Sequence, residues 1–164
     1  MRKKSIAKII LGVSFIALLA AAGTYFSVTK KLGLEYRNTD YGFSVALPET
    51  WRGYSVTIDK WTGNAANDQL GDVAFTDGPV VSIHNPKWTA EVPYQDIPVM
   101  VFTLAQWNSL QQDKFHIGAA PINPSELGRN TKYVFALPAR YNFAFPPGYE
   151  EVDQIIQSKP LTAF

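Results

Sequence analysis

The chain has 164 residues, a formal net charge of +1 and no cysteine. The lack of cysteine excludes disulfide bonds, thiolate metal sites, a lipid-modified cysteine anchor and a cysteine nucleophile. Six of the 15 Lys and Arg residues lie at or before Lys31, which leaves nine basic residues against all 14 acidic residues in the rest of the chain. That acidic remainder carries its cations singly, so we expect neither a nucleic-acid partner nor a polybasic contact with anionic lipids.

Residues 9–28 form an uncharged, mainly apolar run near the beginning of the chain. A helix that spans a bilayer needs about 20 such residues. The run is flanked by six cations, which are Arg2, Lys3, Lys4 and Lys8 before it and Lys30 and Lys31 after it. Because more cations precede the run than follow it, we expect the amino terminus in the cytoplasm and the rest of the chain outside.

This pattern predicts four regions and leaves one alternative open. The regions are a basic cytoplasmic end at 1–8, a signal anchor or transmembrane helix at 9–28, a stalk at 29–35 and an extracytoplasmic domain at 36–164. A cleaved signal peptide is the alternative, because the alanines at 20–22 are small enough for a signal peptidase, and cleavage would give a secreted domain. The uncharged run continues past them to Val28, which favours an uncleaved anchor in a bacterial envelope.

Apolar residues alternate with polar or small residues in several segments of the domain. The predicted strands are 41–47, 54–58, 73–75, 80–84, 99–102 and 132–137. A turn at 48–51 separates the first two strands, so we expect them to pair as antiparallel neighbours. Asp77 and Gly78 predict a tight reversal between the third and fourth strands, and the polar segment 62–71 predicts an exposed loop.

Two helices are predicted beside these strands. The first runs from 104 to about 114, with Thr103 placed to cap its start and Trp107 on its apolar face. The second is a short amphipathic helix that begins at Tyr149 and is terminated by Pro160. Because the helices do not alternate with the strands, we expect an α+β domain with a mainly antiparallel sheet flanked by helices.

The segment at 36–51 reads Tyr-Arg-Asn-Thr-Asp-Tyr-Gly-Phe-Ser-Val-Ala-Leu-Pro-Glu-Thr-Trp. It resembles the opening of PsbP-like domains, which share a Mog-type α/β/α sandwich. The resemblance implies an antiparallel sheet between helices and an adaptor or assembly role without catalysis. No photosystem-specific or GTPase-binding motif accompanies the segment, so no particular partner is carried over.

Residues with catalytic or metal-binding chemistry form no motif in this sequence. The two histidines, His84 and His116, lack metal-ligand spacing, and no serine lies in a Gly-x-Ser-x-Gly elbow. The adjacent Glu150 and Glu151 lie near a predicted helix start, where the helix dipole favours anions. We therefore expect no catalytic, cofactor or metal site. A hydrolase with dispersed residues would require a buried His84 or His116 bonded to a serine or a carboxylate.

Three residues are candidates for binding a partner. Trp61 and Trp88 lie in polar segments near Gly or Pro, where an exposed indole can anchor a partner protein. Arg140 follows the strand at 132–137 and can either clamp a carboxylate or lie along the sheet edge in solvent. Trp107, by contrast, is expected in the core.

These observations predict a function class. We expect a membrane-anchored extracytoplasmic binding or assembly module, without catalytic activity, that engages another envelope protein. The alternative is a small-molecule sensor or carrier domain with a pocket between the sheet and a helix, lined by some of the Tyr and Phe side chains.

Overall fold

The computed structural model describes residues 32–65, 76–118 and 122–164, and residues 32–164 belong to one compact unit. The predicted spanning segment at 9–28 lies outside the described residues. So do its flanking cations, including Lys3, Lys4, Lys8, Lys30 and Lys31. Within the described ranges, no helix has the length and apolar character that crossing a membrane requires. The anchor and the orientation of the chain therefore stay predictions.

The described residues form nine strands and two α-helices. The strands are β1 (Leu32–Asn38), β2 (Phe43–Pro48), β3 (Ser55–Ala65), β4 (Thr76–His84), β5 (Ile97–Thr103), β6 (Phe115–Ile117), β7 (Ser125–Arg129), β8 (Tyr133–Leu137) and β9 (Leu161–Ala163). The helices are α1 (Leu104–Gln111) and α2 (Tyr149–Gln157), and a single 3-10 turn spans Glu49–Trp51. The end of the predicted stalk, residues 32–35, lies in β1.

The strands make two antiparallel sheets. Six strands form the larger sheet in the order β6-β3-β4-β5-β8-β7, and this sheet curls into a half-barrel. Three strands form the smaller sheet in the order β1-β2-β9. Both helices are short and lie beside the sheets, where each buries two apolar side chains.

The main core lies between the two sheets. Its members come from β2, β4, β5, β8 and α2, and they include Phe43, Val45, Leu47, Val81, Ile83, Val99, Val101, Phe135, Val152 and Ile155. Alternate residues of each strand face this core, which is the arrangement expected where one side of a strand is buried. Burying each large aliphatic side chain contributes about 1.5–3 kcal/mol, so this layer supplies much of the driving force for folding.

A second core covers the opposite face of the larger sheet. It is built around Trp61, Phe102 and Phe115, with Trp107 and Leu110 contributed by α1. Because both faces of the larger sheet are covered, its central strands β4, β5 and β8 are buried on both sides along part of their length.

The prediction of a helix-flanked α+β domain is wrong. Strands account for 46% and helices for 17% of the structure, and the layer that packs across the main core is a second sheet. That sheet exists because residues 32–38 and 161–163 both pair with β2, on opposite edges. The two predicted helices do occur at their expected starting points, although α1 ends at Gln111.

Two predicted hairpins are also wrong. Strands β2 and β3 belong to different sheets, because the 3-10 turn after Pro48 carries the chain across the core. Asp77 and Gly78 make no reversal but lie inside β4, opposite Thr62 and Trp61 of β3. A side chain at Gly78 would lie 2.6 Å from the Trp61 indole nitrogen, so this glycine makes room for the indole. The predicted partner segment at 73–75 lies outside the described residues.

The connections gather at two ends of the domain. The strand register places Leu32 beside Pro48, Ser55 beside His84, Ile83 beside Ile97, and Ser125 beside Leu137. The segments 48–54, 85–96 and 138–148 therefore lie at one end, which we call the loop end. The start of α1 and the turns at 39–42 and 130–132 lie at the other, far end.

Candidate functional site

Exposed apolar side chains collect at the loop end. Phe143 and Phe145 are 74% and 68% exposed, and Val92 and Trp88 are 49% and 38% exposed. The first two come from segment 138–148 and the other two from segment 85–96. Because exposed apolar side chains can mark interaction sites, both segments are candidates for contact with a partner.

Segment 85–96, which carries Trp88, is held in a defined shape by its own hydrogen bonds. The Asn85 side chain accepts from the Lys87 backbone at 2.9 Å, and the Asn85 carbonyl accepts from the Trp88 backbone at 2.9 Å. Thr89 and Val92 are joined by two bonds, one of them from the Val92 backbone to Thr89 Oγ1 at 3.0 Å. The loop is therefore ordered before any partner arrives.

A buried histidine lies directly beneath Trp88. The His84 ring centroid is 4.9 Å from that of Trp88, and His84 Nε2 lies 2.8 Å from Thr57 Oγ1. On the other side of the ring, His84 Nδ1 is 3.5 Å from Asp96 Oδ2 but makes no hydrogen bond within the described residues. Burial raises the pKa of the Asp96 carboxyl above its usual range, and the nearby His84 opposes that shift.

Thr57, His84 and Asp96 place a hydroxyl, an imidazole and a carboxylate in the order that a hydrolase uses, but they do not meet the condition set for a dispersed hydrolase. The hydroxyl belongs to a threonine, and the Asp96 carboxylate lies near the imidazole without a hydrogen bond to it. Hydrolysis of an acyl group also needs donors aimed at the developing oxyanion. Thr57 projects from the face of the larger sheet, whereas the backbone N–H groups of its strand lie in the plane of the sheet. These N–H groups are therefore not aimed at an oxyanion formed beside Thr57. The Trp88 ring also packs against the imidazole. The contacts of His84 therefore hold segment 85–96 against the larger sheet.

Segment 138–148 holds its two exposed phenylalanines in a strained backbone. Arg140, Ala144 and Phe145 have φ values of 56°, 75° and 48°, in the left-handed region that costs most residues about 1–2 kcal/mol each. The Tyr141 hydroxyl donates to Asp153 Oδ1 of α2, and Asn142 Nδ2 donates to the same oxygen at 3.2 Å. Burial, followed by that hydrogen bond, raises the pKa of Tyr141. These contacts offset the strain and fix the loop to α2.

The two loops are joined by Gln95. Its backbone donates to the Pro147 carbonyl at 2.8 Å, and its Nε2 donates to the Tyr141 carbonyl at 3.2 Å. Gln95 is buried, which strengthens such bonds relative to bonds in water. Gln95 therefore links the two loops of the loop end, and we call their exposed side chains Trp88, Val92, Phe143 and Phe145 together the apolar surface.

The three predicted partner-binding residues have different surroundings. Trp61 is only 4% exposed, its Nε1 donates to the Val101 carbonyl at 3.0 Å, and its ring stacks on Phe102. It is therefore a core residue and offers no surface to a partner. Trp88 is partly exposed at the loop end. Arg140 is exposed in the same region, with its guanidinium carbon 6.0 Å from the centre of the Phe143 ring.

Phe143 and Phe145 were not among the predicted residues, although the sequence holds a signal for them. They alternate with small or polar residues, and this pattern by itself is typical of a strand. Two prolines follow directly at Pro146 and Pro147, and proline cannot donate to a strand ladder. Aromatic residues that belong to no strand and precede a proline pair are candidates for exposure.

Two shallow grooves occur among the described residues, and neither is lined by a residue of the apolar surface. One, of about 480 Å³, lies between β7 and the end of α2 and is lined by residues such as Leu127, Ile156 and Leu161. The other, of about 510 Å³, is lined by Tyr41, Ile58 and neighbouring residues of β3 and β4. Among the described residues, no group of three or more His, Asp and Glu side chains could hold a metal ion.

Comparison with protein-family models, with curated proteins and with solved structures gave no match to this chain. The resemblance of residues 36–51 to PsbP-like domains therefore stays a prediction.

Proposed function

We propose that this protein is a membrane-anchored extracytoplasmic binding or assembly module, without catalytic activity, that engages another envelope protein through Trp88. The anchor is the apolar run at 9–28, and the binding element is segment 85–96. The observation that carries the proposal is the partly exposed Trp88 indole on a hydrogen-bonded loop above the buried His84.

A tryptophan in this setting has the properties of an interface hot spot. Hot spots are enriched in tryptophan and contribute most where the side chain is already held in its binding conformation. The bonds of Asn85 and Thr89 fix the backbone on both sides of Trp88, so little conformational entropy is lost on binding. Val92, 49% exposed on the same loop, extends the apolar contact area.

Site-specific photocrosslinking tests this proposal in living cells. A benzoylphenylalanine placed at position 88 of the full-length chain should yield a discrete protein adduct in the membrane fraction. The matched control is position 58 in β3, because Ile58 is an exposed apolar residue outside the loop end. Once the partner is isolated, Trp88→Ala should weaken its affinity about 30-fold, in line with a hot-spot loss of about 2 kcal/mol.

Two results would overturn this proposal. One is the same adduct pattern at positions 88 and 58, which would mean that position 88 has no specific neighbour. The other is unchanged affinity of the isolated partner for Trp88→Ala while the thermal stability of the variant matches that of the natural chain.

A small-molecule carrier is the second candidate, and the groove between β7 and α2 is the observation in its favour. That groove lies between a sheet and a helix, which is the place that a carrier domain would use for its ligand. Its lining includes Ser125, Glu126 and Lys159 but no Tyr or Phe, and it is open to solvent. Because pockets that hold small ligands are mainly enclosed and apolar, the carrier function ranks below the binding module.

A further inference from the structure

We propose that Phe143 and Phe145 insert into the headgroup region of the lipid bilayer next to which the domain is anchored. This inference rests on the anchor in the proposed function and adds a second contact between the chain and the membrane. It assigns a lipid surface to segment 138–148 and leaves segment 85–96 to a protein partner.

The chain enters the domain at the loop end. Leu32 directly follows Lys31, the last cation after the apolar run, and Leu32 pairs with Pro48 at the loop end. A side chain at Gly33 would meet the Glu49 carboxylate, and the neighbouring Thr50 Oγ1 donates to Glu151 of α2 at 2.6 Å. The chain therefore enters the domain beside the first turn of α2.

Contacts of α2 link this entry point to the two phenylalanines. Tyr149 begins α2, and its ring centroid lies 5.1 Å from that of Phe145. Only Glu150 separates Tyr149 from Glu151, which accepts a hydrogen bond from Thr50. The end of the domain that is covalently closest to the predicted anchor is therefore the end that exposes Phe143 and Phe145.

The side chains of segment 138–148 suit the boundary between lipid and water. Aromatic rings are favoured at the boundary between lipid and water, and exposed phenylalanines gain from partial burial there. Arg140 lies next to Phe143, where a guanidinium can reach lipid phosphate while the ring enters the apolar layer. Glu150, next to Tyr149 in the first turn of α2, carries the opposite charge, so we do not expect the contact to depend on anionic lipids.

The backbone that exposes the two phenylalanine rings is strained. Phe145 itself has a φ of 48°, and Tyr141 and Asn142 hold the loop in place through Asp153. Strain that the surrounding structure maintains is a feature of functional segments. A rigid loop also loses little entropy when it enters the bilayer surface, which favours the contact.

Fluorescent labelling can test the contact directly, because the natural chain has no cysteine. Phe143→Cys in the full-length protein, labelled with the environment-sensitive dye NBD, keeps Phe145 in place. The labelled protein is reconstituted into vesicles of zwitterionic phosphatidylcholine. We expect NBD emission at position 143 to shift to shorter wavelength and to lose most of its intensity when nitroxide-bearing lipids are included. Lys132→Cys, exposed at the far end, is the matched control and should show neither effect.

A second labelled variant controls for structural changes that the first substitution causes. Phe145→Cys, with Phe143 retained, should be quenched in the same way, and both variants should melt at the temperature of the natural chain. Equal quenching at positions 143, 145 and 132, or none at 143 and 145, would overturn the inference. Because the vesicles contain no other protein, a protein partner cannot produce the quenching.

The outcomes separate this inference from the proposed function. If the protein floats with the vesicles but positions 143 and 145 stay unquenched, the lipid contact is wrong and the anchor is retained. If the full-length protein does not float with the vesicles, the anchor and the lipid contact are both overturned. Failure of photocrosslinking at position 88 affects only the protein partner.

Discussion

The ionisation of Asp96 is linked to the folding of the loop end. Burial raises the pKa of its carboxyl, so the folded protein binds a proton there more strongly than the unfolded chain does. In the pH range between the unfolded value, about 3.9, and the raised folded value, the free energy of unfolding should therefore fall as pH rises.

Asp96→Asn tests this linkage at the level of one residue. The variant cannot titrate at position 96, so its free energy of unfolding, compared with that of the natural chain, should improve as pH rises from about 4. Urea unfolding at a series of pH values measures the difference. Glu91→Gln removes one negative charge from the same loop and controls for net charge. A difference that is constant with pH, or that grows in favour of the natural chain as pH rises, would show that burial does not dominate at Asp96.

Trp61 and Trp88 show why single-residue roles were only partly predictable. Both lie in the local sequence Lys-Trp-Thr, at 60–62 and 87–89. Trp61 is buried because β3 continues to Ala65 and pairs with Gly78, whose missing side chain leaves space for the indole. Trp88 follows Pro86, after β4 has ended. The two tryptophans differ in burial because their strands differ in pairing, and the pairing partners come from distant parts of the chain.

At the scale of elements, the start of α1 is the best-defined boundary. Thr103 Oγ1 accepts from the Gln106 backbone at 3.2 Å, and the Gln106 side chain accepts from the Thr103 backbone at 2.8 Å. The Gln106 side chain also donates to Thr76 Oγ1 and to the Asp77 carbonyl, which ties the helix start to β4. This reciprocal cap was predicted in part, since the sequence indicated Thr103 as the capping residue.

Thr103→Ala should lower the free energy of unfolding by about 1 kcal/mol, because the variant loses the bond to the Gln106 backbone. Chemical denaturation measures this loss. Thr103→Ser keeps the hydroxyl and is the matched control, so its stability should stay close to that of the natural chain. If serine costs as much as alanine, the methyl group of Thr103 and not the cap stabilises the helix start.

Elements were predicted best where the local signal is strong and worst where pairing defines them. The strands β2, β5 and β8 occur close to their predicted positions, because apolar residues alternate there. β9 has three residues and depends on its register with β2 at Phe43–Val45, which no local pattern indicates. Without β9 and β1 the smaller sheet cannot be foreseen, and a helical layer was expected in its place.

At the scale of the whole molecule, the two ends of the domain differ in what the strands bring together there. The far end is occupied by α1 and by tight turns such as the one at 130–132. The loop end collects the chain entry at Leu32, the Trp88 loop and the two exposed phenylalanines. A sequence can indicate each loop separately, but only the strand register brings these loops to the same end.

We propose above all that the apolar run at 9–28 anchors this domain outside the cytoplasm. A single cysteine at Lys132, treated with a membrane-impermeant maleimide in intact cells, tests the location most directly. We expect labelling before lysis and recovery of the labelled protein in the membrane pellet after carbonate extraction. Labelling only after lysis, or recovery of the intact chain in the soluble fraction, would contradict it.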